Sequence, residues 1–244
     1  MALDFVAITR REGETLAAAA RARSLDALVP SCPGWDAHAL LAHTSGVHRW
    51  AAGAILNGGG APGRFPKAPE DRAAVLGWFE EGLDIVVAAL AATQPEAPSW
   101  TFMPQDQTAA FWHRRMAQET LVHRWDLQAA FGVTTSIDPE LASDGIDELM
   151  VVHAPRRLSQ VEGGITTEGT IHVHCTDAAG EWTFSSHGDS FTMTRGHTKG
   201  DVALRGPAGE VLLVLWGRRS IDAAAVEVIG EAPVLQRWLA PGMP

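Results

Sequence analysis

Two short stretches carry side chains that could do chemistry together. The first, Cys32–Trp50 (CPGWDAHALLAHTSGVHRW), holds His38, His43 and His48, and the second, Phe111–Gly132 (FWHRRMAQETLVHRWDLQAAFG), holds Glu119 and His123. Both read as amphipathic helices. If Asp36 caps the first, Leu40, His43, Val47 and Trp50 fall on one inward stripe at spacings of three and four. His38 and His48 then lie about 140° round the helix from His43, so the three imidazoles cannot converge on one ion; His38 and His48 are expected to face solvent or to support. In the second helix Trp112, Met116, Glu119, His123, Leu127 and Ala130 form the inward stripe. Glu119 and His123, four residues apart, are separated by about 40° and project side by side. A buried carboxylate must be compensated. Glu119 is therefore either salt-bridged, to Arg114 or Arg115, or it coordinates a cation. His43 from one helix with Glu119 and His123 from the other makes a His2Glu set, the ligand complement of catalytic zinc sites that keep an open position.

The elements that must position these residues divide the chain by texture. Up to about Gln160 the sequence is rich in Ala and Leu at helical spacing, interrupted by Gly/Pro-rich segments such as NGGGAPGRFPKAP. Helices are expected near Asp4–Arg23, Asp36–Leu56, Pro69–Ala92, Thr108–Phe131 and Pro139–Leu158, with loops that favour an antiparallel four-helix bundle. After SQVEGG the period changes to two. GTIHVHCTD, EWTFSSH, SFTMTRG and DVALRG read as strands, followed by a helix in PAGEVLLVLWG, a further extended stretch in AAVEVIG and a closing helix in EAPVLQRWL. The expected fold class is α+β with two domains, 1–160 helical and 161–244 a small α+β sheet domain.

Composition narrows the possible partners. The 244 residues are 46% hydrophobic and 20% charged, with 19 basic against 29 acidic residues and a formal net charge of −10. No run of Lys or Arg could neutralise a phosphate track, so nucleic acid is not expected as a partner. Two distant cysteines, Cys32 and Cys175, fit a reducing compartment rather than a disulfide framework. No apolar run approaches the length of a membrane span, and charge arrives too early in the N-terminal residues for a signal peptide; a cytoplasmic protein without membrane association is expected.

Three further features invite a reading. Cys32 precedes a helix start, where a thiol pKa can fall, but no paired base is evident and it reads as a small buried residue. Asp126, three residues after His123, could orient that imidazole or pair with a neighbouring Arg. His172 and His174 share one face of a strand and, without a third partner, read as an exposed strand face rather than a metal site.

PSCPGWDAHALLAHTSGVHRWAA, ETLVHRWDLQAAFG and LLVLWGRRSIDAAAVEVIGEAPVLQRW together resemble the mycothiol-dependent maleylpyruvate isomerase family. The resemblance spans nearly the whole chain and implies a DinB-like metal-binding bundle followed by a sterol-carrier-like α+β domain. It implies His43, Glu119 and His123 as ligands of a divalent metal, zinc by the donor set, and mycothiol as thiol cosubstrate. By the same resemblance a C-terminal Arg anchors the substrate: WGRR makes Arg218 the first choice and Arg219 the second, although either could simply meet the negative pole of a helix. Helix two opens DAHAL where relatives often have Thr at the cap and an acidic residue three positions on, a departure that touches capping and not the ligands. The implied reaction is addition of a metal-bound thiolate to the cis double bond of a small anionic substrate, rotation about the resulting single bond, and elimination to the trans isomer. A guanidinium would grip the substrate carboxylate, in a cleft expected between the domains. Two other functions stay open: a thiol S-transferase acting on another electrophile, and a non-catalytic protein binding metal or an apolar ligand.

Overall fold

The computed structural model describes residues 3–21 and 23–241. The chain forms two compact units, 1–135 and 136–244. The first is built on four helices: α1 (Phe5–Arg21), α2 (Ala37–Leu56), α3 (Val75–Ala92) and α4 (Ala109–Ala130). Each lies within the span expected from sequence; the expected first helix also included Ala22, which lies outside the described residues. Asp36 caps α2 as expected, its carboxylate accepting from the Ala39 N–H at 2.7 Å. The α2–α3 contact is close because Gly82 presents no side chain: a Cβ there would stand 2.3 Å from Ser45 Oγ, which donates to the Trp78 carbonyl. Leu16, Leu40, Leu41, Phe79 and Leu127 centre the core.

The inward face of α2 differs from the expected one. Its buried residues include Leu40, Leu41, Thr44, Ser45, Gly46, His48, Ala51, Ala52 and Ile55, whereas His43, Val47 and Trp50 are only half-buried. The packed face is the one with small residues, because close helix approach excludes Trp50 and Val47. His48, expected at the surface or in support, is fully buried, and His38 is half-buried.

The second unit begins earlier than the sequence texture suggests. The expected helix Pro139–Leu158 is present as α5 (Pro139–Glu148), a π-helical turn over Leu149–His153, and α6 (Ala154–Gln160). Pro155 has no N–H to offer the preceding turn, which accounts for the widened step ahead of it. These helical residues pack with the later strands, so the units divide at Thr135/Ser136 and not near Gln160. The sheet comprises β1 (Ile171–Cys175), β2 (Glu181–His187), β3 (Ser190–Arg195), β4 (Val202–Gly206) and β5 (Glu227–Gly230), in the order β3-β2-β1-β4-β5. Only the β1–β4 pair is parallel. The β2–β3 hairpin closes through Gly188 at φ 60°, a left-handed conformation that suits glycine. Helices α7 (Ala208–Leu215) and α8 (Ala232–Leu239) complete the unit. Ile171, Val173, Trp182 and Phe184 are buried; Trp182 donates to Asp147 of α5 and Phe184 meets Trp238 of α8.

Candidate metal centre in the helical unit

Helix α4 is buried on nearly every side, with 17 of its 22 residues inaccessible, so its polar groups must find partners inside the unit. Glu119 stands at the centre of them. Its Oε1 is 3.3 Å from His43 Nε2 and 3.2 Å from His123 Nε2, while its Oε2 accepts from Arg115 at 2.5 Å. The two alternatives left open by sequence thus coexist: Arg115 holds one carboxylate oxygen and the imidazoles gather at the other. Donor atoms of His43, Glu119 and His123 all lie within 4.8 Å of one another.

Neighbours fix each member. His123 Nδ1 lies 3.1 Å from Asp126 Oδ2, and Asp126, fully buried, also accepts from Ser31 Oγ at 2.6 Å and from Cys32 Sγ at 3.6 Å. Asp126 therefore orients the His123 ring, one of the two roles read for it. Cys32, expected as a buried apolar filler, instead joins a His123–Asp126–Cys32 group whose donor atoms also approach one another. That contact comes from the loop before α2, which no helical periodicity reports. Trp35 packs on the His43 ring at 4.8 Å between centroids, and Phe65 stacks with it at 6.4 Å. Phe65 reaches α2 because Gly46 leaves room; a Cβ there would be 2.5 Å from the Phe65 ring. The His43 side chain is 35% exposed against 9% for His123, so the trio is approached from the His43 side.

The electrostatics match a cation-binding group. Burial raises the Glu119 pKa, yet the charges of His123 and Arg115 and hydrogen bonds from both imidazoles hold it well below the ordinary carboxylate range. Burial also opposes charge on His123, but the Glu119 charge and the bond to Asp126 outweigh it and push the pKa up to about 9. Both ring nitrogens face carboxylates, so the proton on Nε2 stands where a cation would be held by the same donors. Two imidazoles and a carboxylate, backed by Asp126 behind one imidazole, are a donor set that fits zinc.

His48 contrasts with these. Thr120 Oγ1 donates to the Met116 carbonyl at 2.7 Å, so His48 Nε2–H donates to Thr120 at 2.9 Å. Its Nδ1 is buried with no hydrogen-bond partner among the described residues. Desolvation keeps the ring neutral, with the pKa lowered to about 4.

In the second unit, Arg218 and Arg219 follow α7, whose end is marked by Gly217 at φ 70° with the Arg218 N–H on the Leu213 carbonyl. Arg218 donates to the Trp216 carbonyl at 2.9 Å and lies over the Trp216 ring at 5.2 Å. Arg219 is committed to Glu210, at 2.6 and 2.7 Å, and to the Ala223 carbonyl. It also lines a cleft with Val214, Gly217, Ile221, Val228 and Leu239.

Comparison with known proteins places both units. Residues 6–128 match the model of the mycothiol maleylpyruvate isomerase N-terminal domain, and residues 140–237 match the MDMPI C-terminal domain. The chain belongs to the mycothiol maleylpyruvate isomerase family. A crystal structure of the mycothiol-dependent maleylpyruvate isomerase aligns with a TM-score of 0.64 at 15% identity, covering 93% of this chain and 92% of that one. A histidine-to-alanine mutant of that enzyme aligns with a TM-score of 0.63 at 14% identity, covering 91% of each chain. At these identities the likeness is one of fold. No curated protein sequence matches. Among the described residues no helix is long and apolar enough to cross a membrane.

Proposed function

We propose that this enzyme isomerises a small cis-configured, activated dicarboxylate of the maleylpyruvate type with mycothiol as cosubstrate, and that His43, Glu119 and His123 hold one divalent ion, zinc by their chemistry, in support of the reaction. The observation that carries the reading is the convergence of two imidazoles and a carboxylate, from two helices, within 4.8 Å, in a chain of this family. A divalent ion bound there supplies a positive charge that keeps a thiol deprotonated at neutral pH.

The chain's own residues have distinct tasks in this scheme. Asp126 holds His123 through Nδ1 and so presents Nε2 to the ion. Arg115 anchors one Glu119 oxygen and leaves the other for coordination. Trp35 and Phe65 pack on the His43 ring and hold its orientation. The cosubstrate sulfur forms a C–S bond to the double bond of the substrate, the remaining C–C single bond rotates, and the C–S bond breaks to release the same thiol and the trans isomer, with no change of oxidation state. Arg218 is assigned to the substrate carboxylate by the resemblance, in which the family's substrate-binding Arg falls in the C-terminal unit at the WGRR segment. Cys32 and Cys175 are not joined in a disulfide, which agrees with a reducing, cytoplasmic setting.

The test is an absorbance assay with mycothiol and maleylpyruvate on the wild type and on Arg218→Ala. The wild type is expected to turn over only with thiol present. Arg218→Ala should lose about 2–5 kcal/mol of transition-state stabilisation, on the order of 30-fold or more in kcat/KM, at unchanged metal content. Arg218→Lys should recover only part, since an ammonium lacks the planar fork. Turnover of another electrophile to a released thiol conjugate, without isomerisation, would replace this reading by the S-transferase.

A further inference from the structure

A second group of imidazoles lies in the sheet unit, far in sequence from the trio of the bundle. His172 and His174 share a face of β1 by the period of two, and the antiparallel register sets Glu181 of β2 directly opposite His174. The strand pair thus brings Glu181 Oε1 to 3.0 Å from His174 Nδ1 and Oε2 to 3.2 Å from His172 Nε2. A third imidazole arrives from the segment after β3: His197 Nδ1 is 2.7 Å from Glu181 Oε2. That segment is pinned, since the Gly196 N–H donates to the Glu181 carbonyl at 2.8 Å and Thr183 Oγ1 donates to the Thr198 carbonyl at 2.9 Å. The His172 ring lies 6.1 Å from that of His174 and 5.2 Å from that of His197. The expectation of an exposed strand face fails for His172, which is 7% exposed. It failed because the partners that cover and face it come from β2 and from beyond β3, which the pattern of β1 does not report.

We propose that His172, His174, Glu181 and His197 form a second site for a first-row divalent ion, zinc foremost. Three imidazole nitrogens and one carboxylate are donors that suit such ions. The donor atoms of His172, His174 and Glu181 lie within 4.8 Å of one another, and small side-chain rotations close that span to the roughly 3.4 Å edge of a tetrahedron with bonds of about 2.1 Å. Arg205, opposite His174 on β4, is paired with Glu227 at 3.0 Å. Burial is graded in a way that suits capture from solution: side-chain exposure is 8% for His172, 31% for His174 and 76% for His197. Three ligands are fixed on two adjacent strands, and His197, the most exposed of the four, approaches Glu181 from the segment after β3. The bound ion would tie the β3–β4 connection to the β1–β2 pair. The site stands on its own, whatever the bundle trio holds.

Equilibrium dialysis of the full-length protein against micromolar zinc decides the matter, with His174→Ala/His197→Ala and His43→Ala/His123→Ala compared with the wild type. The first variant alters two exposed or half-exposed side chains and is expected to keep its circular dichroism while taking up one ion fewer. The bundle variant should retain that same ion. Zinc uptake by His174→Ala/His197→Ala equal to that of the wild type overturns the proposal, as does a His172 ring resonance in the wild type that does not shift on adding zinc. If instead the bundle variant alone binds as much zinc as the wild type, the reading of the bundle fails and this one stands.

Discussion

The chain carries two histidine–carboxylate groups built by different geometry. In the bundle, Glu119 and His123 come from one turn of α4 and His43 from α2; in the sheet, His172 and His174 alternate on β1 and Glu181 faces them from β2. The bundle group is backed by a further layer: Asp126 holds His123, Ser31 and Cys32 hold Asp126, and Arg115 holds Glu119. Among the described residues, the sheet carboxylate Glu181 is met by the imidazoles of His172, His174 and His197. Helix α4 supplies that backing because 17 of its 22 residues are buried, while in the sheet group His174 and His197 are half-exposed or exposed. The difference predicts a rigid centre suited to catalysis in the first unit and a weaker, accessible one in the second.

The largest effect should come from the residue that locks the bundle scaffold. Arg124, buried, donates to Glu12 of α1 at 2.9 Å, to Gln128 at 2.9 Å and to Thr135 Oγ1 at 2.7 Å. Arg124→Ala removes the buried partner of Glu12, leaving it only the exposed Arg11 at 3.1 Å among the described residues, and should cost about 3 kcal/mol of stability in urea unfolding. Comparable loss from Arg205→Ala, an exposed pair on the sheet, would erase the contrast between a locked unit and an open one.

Acid should act next, and on the bundle. His48 has its pKa lowered from 6.5 to about 4 in the fold, so the unfolded chain takes up the proton first. Its contribution is present above pH 6.5 and is lost as pH falls toward 4, up to about 3 kcal/mol. A His48→Gln variant, still able to meet Thr120, should show a flatter stability profile across that window; an unchanged profile would remove His48 as the cause.

Asp126→Asn should have the smaller effect of loosening the divalent ion proposed for the bundle trio about 10- to 100-fold, measured by competition with a chromophoric chelator, while leaving the fold intact. An unaltered affinity would mean that the backing of His123 does not matter, and the two groups would then differ only in exposure.

Much of this was legible from sequence, and the exceptions have physical causes. Helix spans follow from Ala/Leu periodicity bounded by Pro and Gly, and α2–α4 agree with expectation to within a turn, the segment before Val75 apart, where Arg72–Ala74 is a 3-10 turn. The meeting of Glu119 with His123 is local to one helix turn, so spacing alone reports it. The orientation of α2 differs from its sequence pattern because spacing favours the large apolar Val47 and Trp50 as the packed face, whereas close helix packing selects Gly46, Ala51 and Ala52. The Ser31–Cys32–Asp126 contacts and the gathering of His197 onto Glu181 join residues far apart in sequence through loops and strand register, and no periodicity encodes them. The unit boundary moved to Thr135/Ser136 because α5 and α6 look like bundle helices in composition yet pack with the sheet.

The most direct test is elemental analysis of the purified wild type and of His123→Ala after exhaustive exchange into metal-free buffer. A metal centre formed by His43, Glu119 and His123 predicts about one tightly held divalent ion per chain in the wild type and its loss in His123→Ala, with helix content preserved. Metal content that is the same in both proteins, or thiol-dependent isomerisation undiminished in His123→Ala, would contradict it.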